Sequence, residues 1–596
     1  NKVSLTVDLS LESVAIANTG DFVIGETVEI THQHTPAIAK IVNTEYSVDD
    51  PTIAEFNPGT NQLVIKSMGA VNVTVTLTDN IGNVMATSKT FNTILDYAPL
   101  IAKYDVNNSA VHLDITPTAT TKGFVDWGDG TVEALSDNVT HQYIGASKPT
   151  VKLWVDGGLD VANIAADNTL VEVVQWGDKV IKHPQVGSNK LVKVPTVAPL
   201  GLTSTVSTFE GATLFNQNLN GWDMSGVTSV EGMFAGASSF NGLVDTWNVS
   251  KVKRFARMFD GAASFNSSVN AWNVSAGESF ANMFTNASTF NQPIDQWRPT
   301  GEGQVSASLM FSGAVSFNSS VAGFFTSAVN NCTEMFAGCS SFNQDLAGVK
   351  LSTPLIADGM FKDCIAFNKP VGNLNGVDLI GVVGMFEGCR SFNQNLMGLK
   401  FKTSNLNSLL AGCSTFNQPL NDLDVSNVTS MDYLFDGCTA FTSDLSAWDV
   451  SSLKSATAML RNTSNFDSDL NWWCVSNITT EPENFATGSF LASSNHPLWG
   501  TCPVRDVVIE IDNKNQFLML GDNGVMTYTA NKPFDEVSVV WLSSNPDAIS
   551  INAATGEYAV VGLGGASISV KVNDLYSARR DYLTIQEYTP ATFKAN

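Results

Sequence analysis

The residues best suited to chemistry in this chain are spread too thinly to perform it. Eight cysteines are present, and five of them, Cys339, Cys364, Cys389, Cys413 and Cys438, recur at steps of 24 or 25 residues. Zinc sites take cysteines two to four residues apart or paired with histidine. These thiols instead stand where earlier segments carry Ala237, Ala262, Ala287 and Ala314, so the column reads as small buried hydrophobes. Cys332 is solitary. Of six histidines, His32 and His34 alternate on a predicted strand, which puts both rings on one face, yet no third metal ligand accompanies them. Asp126 and Asp129, in Val125-Asp126-Trp127-Gly128-Asp129-Gly130-Thr131, have the chemistry of calcium ligands. A hairpin turn closed by their side chains is the favoured alternative. No nucleophile elbow, P-loop or His-Glu-x-x-His run occurs, and no motif singles out a carboxylate pair of the glycosidase kind. We therefore assign no catalytic, cofactor-binding or metal residue and read the chain as a non-enzyme.

The thiols belong to a repeat that must position them. Its anchor is a phenylalanine, found at Phe215, Phe240, Phe265, Phe290, Phe317, Phe342, Phe367, Phe392, Phe416, Phe441 and Phe466. Steps are 25 residues, except one of 27 and one of 24. Such a period predicts a stacked solenoid over 185–503, because one unit cannot bury its own apolar face and must lean on neighbours. Six residues before the anchor stands a second large apolar residue, as in Met233-Phe234 or Met385-Phe386. Met, small residue and Phe fall at i, i+4 and i+7, the spacing of a short inward-facing helical turn. Gly before the small residue, as at Gly236 or Gly437, is read as letting adjacent coils approach closely. Seven residues after the anchor comes Trp222, Trp247, Trp272, Trp297, Trp448 or Trp473, followed by a Val-Ser step. Stretches such as Val425-Ser426-Asn427-Val428-Thr429 read as short strands. That step is lost at 299–333 and 369–382, where a bulge or insertion is expected. Asn usually follows the anchor. As a buried column it would satisfy backbone groups coil after coil; as an exposed ladder it would suit sugar or an ice-like surface. The buried reading is favoured.

The flanks are read as β-modules. Residues 1–95 alternate apolar and polar in short runs, such as Val71-Asn72-Val73-Thr74-Val75-Thr76-Leu77, which suits a β-sandwich. Val171 to Gly177 reads as the strand leading into the repeats. Formal net charge is −25, from 32 basic and 57 acidic residues. That balance argues against nucleic acid, whose phosphates need clustered Lys and Arg. The one basic cluster, Lys251, Lys253, Arg254 and Arg257, is read as a solvated face. No apolar run is long enough to span a membrane. The chain opens Asn1-Lys2-Val3 without Met or a signal segment, so the expectation is a removed leader or numbering that starts after processing.

Met385-Phe386-x-Gly388-Cys389-x-x-Phe392-Asn393-Gln394-x-Leu396 and Trp448-Asp449-Val450-Ser451 resemble the BspA-type leucine-rich repeats, in the 25-residue form of mycoplasma-type surface lipoproteins. Trp473-Cys474-Val475-Ser476 through Pro497 to Pro503 is similar to that family's closing cap. Tyr46 to Pro51 with Gly69, and more clearly Trp541 to Pro546 with Thr555-Gly556-Glu557, resemble bacterial Ig-like domains of group 2. The Asp126–Thr131 motif with Thr140-His141-Gln142-Tyr143 resembles the PKD-type sandwich. The expected fold is thus mostly β and multidomain: an Ig-like module (1–95), a PKD-like sandwich (96–184), a leucine-rich-repeat-type solenoid with its cap (185–503), and a second Ig-like module (504–596). Cys474 and Cys502 form the pair placed to staple the last coil, where a solenoid end needs a cap, and this favours an oxidising setting.

These resemblances imply a surface-displayed, adhesin-like attachment protein, extracellular and held on a cell or virion surface. Its partners would be protein or glycan on a host or neighbouring surface, with the N-terminal module docking to the parent surface and the PKD-like module as spacer. The alternative is a structural bacteriophage virion protein, as capsid decoration or tail fibre.

Overall fold

The computed structural model describes residues 10–585, apart from 25, 58–59, 61, 68, 95–97, 118–122, 301–303, 327, 347–348, 350–353, 422, 504–508, 513–516, 531–538 and 573–575. The chain is mostly β and multidomain, and divides into two compact units, 1–251 and 252–596. Among the described residues no helix is long and apolar enough to cross a membrane.

In the first unit, alternation becomes a two-sheet fold. Gly69–Asp79 buries Val71, Val73, Val75 and Leu77 on one face and pairs antiparallel with both Val84–Ile94 and Ile41–Val48. A three-stranded sheet of Thr27–Glu29, Gln62–Ile65 and Ala54–Phe56 supplies Ala54, Leu63 and Ile65 to the same core. The next β-region has a five-stranded sheet ending on Leu170–Gln175 and a four-stranded sheet ending on Leu159–Asn163 and Pro184–Gln185.

Both of those sheets run on into the repeats. Pro184–Gln185 pairs parallel with Ala162 and Asn163, and Val173 N–H donates to Lys193 O at 3.0 Å while Val192 N–H donates to Val171 O at 2.9 Å. Ile181 N–H then reaches Leu200 O at 2.9 Å and Val186 N–H reaches Thr208 O at 2.8 Å. The boundary expected at 184/185 is therefore bridged by backbone hydrogen bonds. Leu170–Gln175 is at once the last strand of a sheet and the first rung of the coils.

Each repeat is one coil, and its inward turn is not helical. In the second unit Phe255, Arg257, Phe259 and Gly261 donate their N–H groups to Ser279, Ala281, Met283 and Thr285 of the next coil, at 2.7–2.9 Å. Between them Met258, Asp260 and Ala262 donate back three residues within their own coil. This alternation needs left-handed backbone twice per coil, at Arg257 (φ 56°) and Gly261 (φ 71°), and the pair recurs at Glu334 and Gly338 and at Tyr433 and Gly437. The glycine column thus answers to conformation. A Cβ at Gly338 would meet nothing nearer than 3.5 Å, which is ordinary contact. At Gly313 and Gly388 it would run into Asn286 Oδ1 and Asp363 Oδ1, so close approach adds to conformation where the preceding coil carries a side chain.

The Val-Ser step is likewise a turn. Val428 N–H donates to Val425 O at 2.9 Å and Ser426 N–H to Asp424 Oδ1 at 3.1 Å, after which a single parallel bridge joins Ser430 to Ser455. True strands form where the step is lost: Val305–Ser306, Val329–Asn331, Leu355–Ile356, Asp378–Gly381 and Lys400–Phe401 make a five-stranded parallel sheet. Three of these strands, Val305–Ser306, Val329–Asn331 and Asp378–Gly381, lie where a bulge or insertion was expected, and the step from Phe290 to Phe317 there is two residues longer than usual.

Beyond the coils, Val539–Ser543, Gly564–Val572 and Tyr576–Ile585 belong to a four-stranded sheet that packs Trp541, Ile568, Val570 and Tyr582 into one core with a three-stranded sheet.

Candidate functional site: an exposed carboxamide ladder

The repeat core removes most reactive side chains from reach. All eleven anchors are fully buried. Their rings stack nearly parallel along the coils, with centroids 5.8 Å apart for Phe265 and Phe290 and 6.1 Å for Phe392 and Phe416. Inside most coils the anchor also faces a second aromatic, 3.8 Å between Phe259 and Phe265, while Leu410 and Leu460 take that place before Phe416 and Phe466. Tryptophan keeps its indole N–H satisfied in this core: Trp297 donates to Val269 O at 2.9 Å and Trp473 to Leu445 O at 2.9 Å. The column thiols do the same, as in Cys389 Sγ to Phe361 O at 2.9 Å and Cys438 Sγ to Leu410 O at 3.0 Å. Burial pushes the Cys332 thiol up to about 12 and raises the five column thiols as well. A buried thiol of this kind is a poor nucleophile.

Cys474 and Cys502 are joined as a disulfide, with Cα atoms 4.0 Å apart. Asp126 and Asp129 act inside their hairpin. Asp126 Oδ1 accepts from Gly128 N–H and Asp129 Oδ1 from Thr131 N–H, both at 2.9 Å, while Asp129 Oδ2 meets His141 Nε2 at 2.6 Å. His141 stacks on Trp127, and Tyr143 O–H donates to Trp127 O at 2.7 Å, so the two halves of the motif hold one another. His34 Nδ1 lies 3.1 Å from Pro36 O and His32 Nδ1 lies 3.4 Å from Tyr46 Oη. Among the described residues no three His, Cys, Asp or Glu side chains converge as a metal site. In the basic cluster, Lys253 pairs with Glu278 at 2.8 Å and Arg257 with Asp260 at 3.2 Å, all at the surface.

What remains in reach of a partner is the Asn column, which is not the buried column that was favoured. Asn216, Asn241, Asn266, Asn291, Asn318, Asn368 and Asn417 are exposed. It does satisfy backbone groups, but along the outside. In the first unit Asn241 N–H donates to Asn216 Oδ1 at 2.8 Å. In the second unit Asn291, Asn318, Asn343, Asn368, Asn393, Asn417 and Thr442 each donate a backbone N–H to the Oδ1 one coil before, at 2.8–3.0 Å. Side chains brace the same oxygens: Gln292, Gln344, Gln394 and Gln418 donate Nε2 to them at 2.8–3.2 Å. In the first unit Gln217 both donates to and accepts from the backbone of Val194, at 2.9 and 3.0 Å. Sequence reasoning passed over these glutamines, although Asn-Gln pairs recur at a fixed place after the anchor. It also had no signal for Thr442 as the last rung.

A family model described as Mycoplasma protein of unknown function, DUF285, matches residues 203–308, 304–399 and 400–496. The repeat region is similar to that family. The three matches hold four, four and three anchors, so one family unit corresponds to several coils. No curated protein matches the chain.

Proposed function

We propose that this protein is a non-enzymatic recognition and attachment protein of an outer surface, and that the Asn–Gln ladder is the edge it presents to an extended polysaccharide. The observation that carries the reading is the ladder itself. Coil after coil, an exposed carboxamide is held by its oxygen against the next coil's amide. That arrangement removes rotamer freedom before any ligand arrives, and it repeats at about the 4.8 Å spacing of hydrogen-bonded strands. Carboxamides donate and accept, which suits hydroxyl groups. Reactive thiols lie inside, where they serve packing.

In this reading the coils are a leucine-rich-repeat-type solenoid of the BspA kind. The β-regions on either side are Ig-like and PKD-type modules, and the first of them, residues 1–95, attaches the chain to its parent surface. The disulfide favours an extracellular location, since such bonds persist in oxidising compartments, and the likeness to a Mycoplasma family is compatible with it. Screening the full chain against immobilised linear polysaccharides tests the proposal. Binding should be lost in the triple variant Asn318→Ala, Asn343→Ala, Asn368→Ala and kept when exposed Ser391 is changed to Ala. Binding that survives the triple variant, or no binding to any polysaccharide, would remove the ladder as the recognition edge.

A further inference from the structure

The ladder's last rung is in contact with the C-terminal β-domain. Thr442 N–H and Oγ1 both donate to Asn417 Oδ1, at 2.9 and 3.0 Å. The carbonyl of that same residue accepts from Arg579 Nη2 at 2.7 Å. Arg579 lies on the strand Tyr576–Ile585, 137 residues further along the chain. The guanidinium is prepared for this contact by its own domain. Nη2 also donates to Ser567 Oγ at 2.7 Å, Nε lies 3.8 Å from Asp581 Oδ1, and Ser567 Oγ hydrogen-bonds Asp581.

The coil side of the contact is closed by its own hydrogen bonds. Ser443 and Asp444 are 5% and 6% exposed, and Ser468 is 4% exposed. At the position of Asp444, three residues after the anchor, other coils carry Asn218, Leu243, Ser268 and Asp345, all exposed. Asp444 differs from them in accepting from Ser446 N–H and Oγ, both at 2.9 Å, and from Ser468 Oγ, so its burial belongs to its own coils. Ser443 and Ser468 stand two residues after their anchors, where Ser267 is likewise buried. The groups identified at this contact are polar: a guanidinium, hydroxyls, a carboxylate and a main-chain carbonyl. Contacts of this kind between domains of one chain resemble transient interfaces more than cores.

We propose that the C-terminal β-domain is a self-docked cover for the end of the carboxamide edge, latched by Arg579 on Thr442. That the covered edge is the one a ligand uses rests on the function proposed above. The docking itself does not. A polymer running along the ladder from Asn266 meets the domain after Asn417 and has to stop there or displace it. The cover is thus an autoinhibitory contact at one end of the recognition edge.

A distance measurement in the full chain tests the latch without any ligand, with spin labels on Ser391→Cys, an exposed position in the coils, and Leu563→Cys, an exposed position in the C-terminal domain. The native cysteines are buried or bridged. The docked chain should give one narrow distance distribution. In Arg579→Ala the distribution should broaden at least about twofold, as for a domain freed from a small polar interface, while amide protection of Ile568 to Val570 shows the domain still folded. If Arg579→Ala unfolds the domain, Ser567→Ala takes its place, removing the hydroxyl that orients the guanidinium. A broad distribution in the otherwise wild-type chain, or a narrow one in the folded variant, would overturn the cover. The polysaccharide screen reads the other proposal separately: the latch can open as described with no polysaccharide bound, and binding can occur with the distance unchanged.

Discussion

Asn318 donates its backbone N–H to Asn291 Oδ1 at 2.8 Å although 27 residues separate them, two more than the usual step. Phe290 and Phe317, their neighbours in the core, stack at 5.9 Å and 7°, as anchors do elsewhere. The 24-residue step behaves the same way, with Asn417 N–H at 2.9 Å from Asn393 Oδ1. Stacking and the ladder therefore set the coil, and extra or missing residues are taken up elsewhere in the turn.

If the anchors set the stack, removing one opens a cavity that neighbouring coils cannot close. Phe392→Ala should destabilise the repeats by about 3–5 kcal/mol, read as a lowered denaturant midpoint. Ser391→Ala, one residue away and exposed, should stay within about 0.5 kcal/mol. An unchanged midpoint for Phe392→Ala would take the anchor column out of the core.

The left-handed columns make a second, opposite pair of predictions. Gly437 has φ 75°, and a Cβ there would meet Gly412 no nearer than 3.6 Å. The cost of Gly437→Ala is then conformational, about 1–2 kcal/mol. Ser408 occupies the other column at φ 53°, where Gly359 and Gly384 stand in the preceding coils. Ser408→Gly should be neutral or stabilising by up to about 1 kcal/mol. Denaturation midpoints moving the other way would place the strain elsewhere.

These columns also mark where the sequence stopped being legible. The period and the inward set, Phe, Met, Trp and Cys, were visible because burial selects residue type. The turn geometry was not. Met, Ala and Phe at i, i+4 and i+7 satisfy a helix and a two-turn ribbon equally, and only the left-handed φ at positions such as Arg257 and Glu334, which have no sequence signature, separates them. At 299–333 and 369–382, where a bulge or insertion was expected, the chain forms short strands, and two extra residues do fall between Phe290 and Phe317. The strands were missed because Val-Ser looked like the strand, whereas the Asp or Asn before it closes a turn. The ladder was read correctly as backbone satisfaction and wrongly as buried, since nothing in Phe-Asn-Gln tells which side of the coil the carboxamide takes.

Asp79 offers a pH test in the N-terminal region. It is 1% exposed, and burial alone would push its carboxyl up, but N–H donors from Leu11, Ile81 and Asn83 (backbone and side chain) outweigh that and hold it at about 2. A carboxyl depressed in the folded state stabilises above its unfolded value of about 3.9, and that contribution is lost as pH falls toward about 2. The wild type should lose N-terminal stability between those limits more steeply than Asp79→Asn, followed by amide exchange at Val73 and Val75. Parallel acid profiles would mean that Asp79 does not couple folding to protons.

The cysteines separate the core from the end of the stack. Six are free and buried, and the remaining two form the Cys474–Cys502 bridge. With their thiols raised by burial, the six should resist an aromatic disulfide reagent in the folded chain and react together once it is denatured. Reduction should act only on the bridge. It closes a loop across 28 residues, and freeing that loop should cost about 3 to 4 kcal/mol by chain entropy. Because stacked coils depend on their neighbours, the loss should appear first as exchange of amides in the last coil, Val475 and Ile478, and spread inward only under further denaturant. Uniform exchange from Phe265 to Phe466 after reduction would show the repeats melting as one block and the bridge acting on all of them. Rapid reaction of Cys389 or Cys413 in the native chain would instead show that the thiol column opens to solvent, against its place in the core.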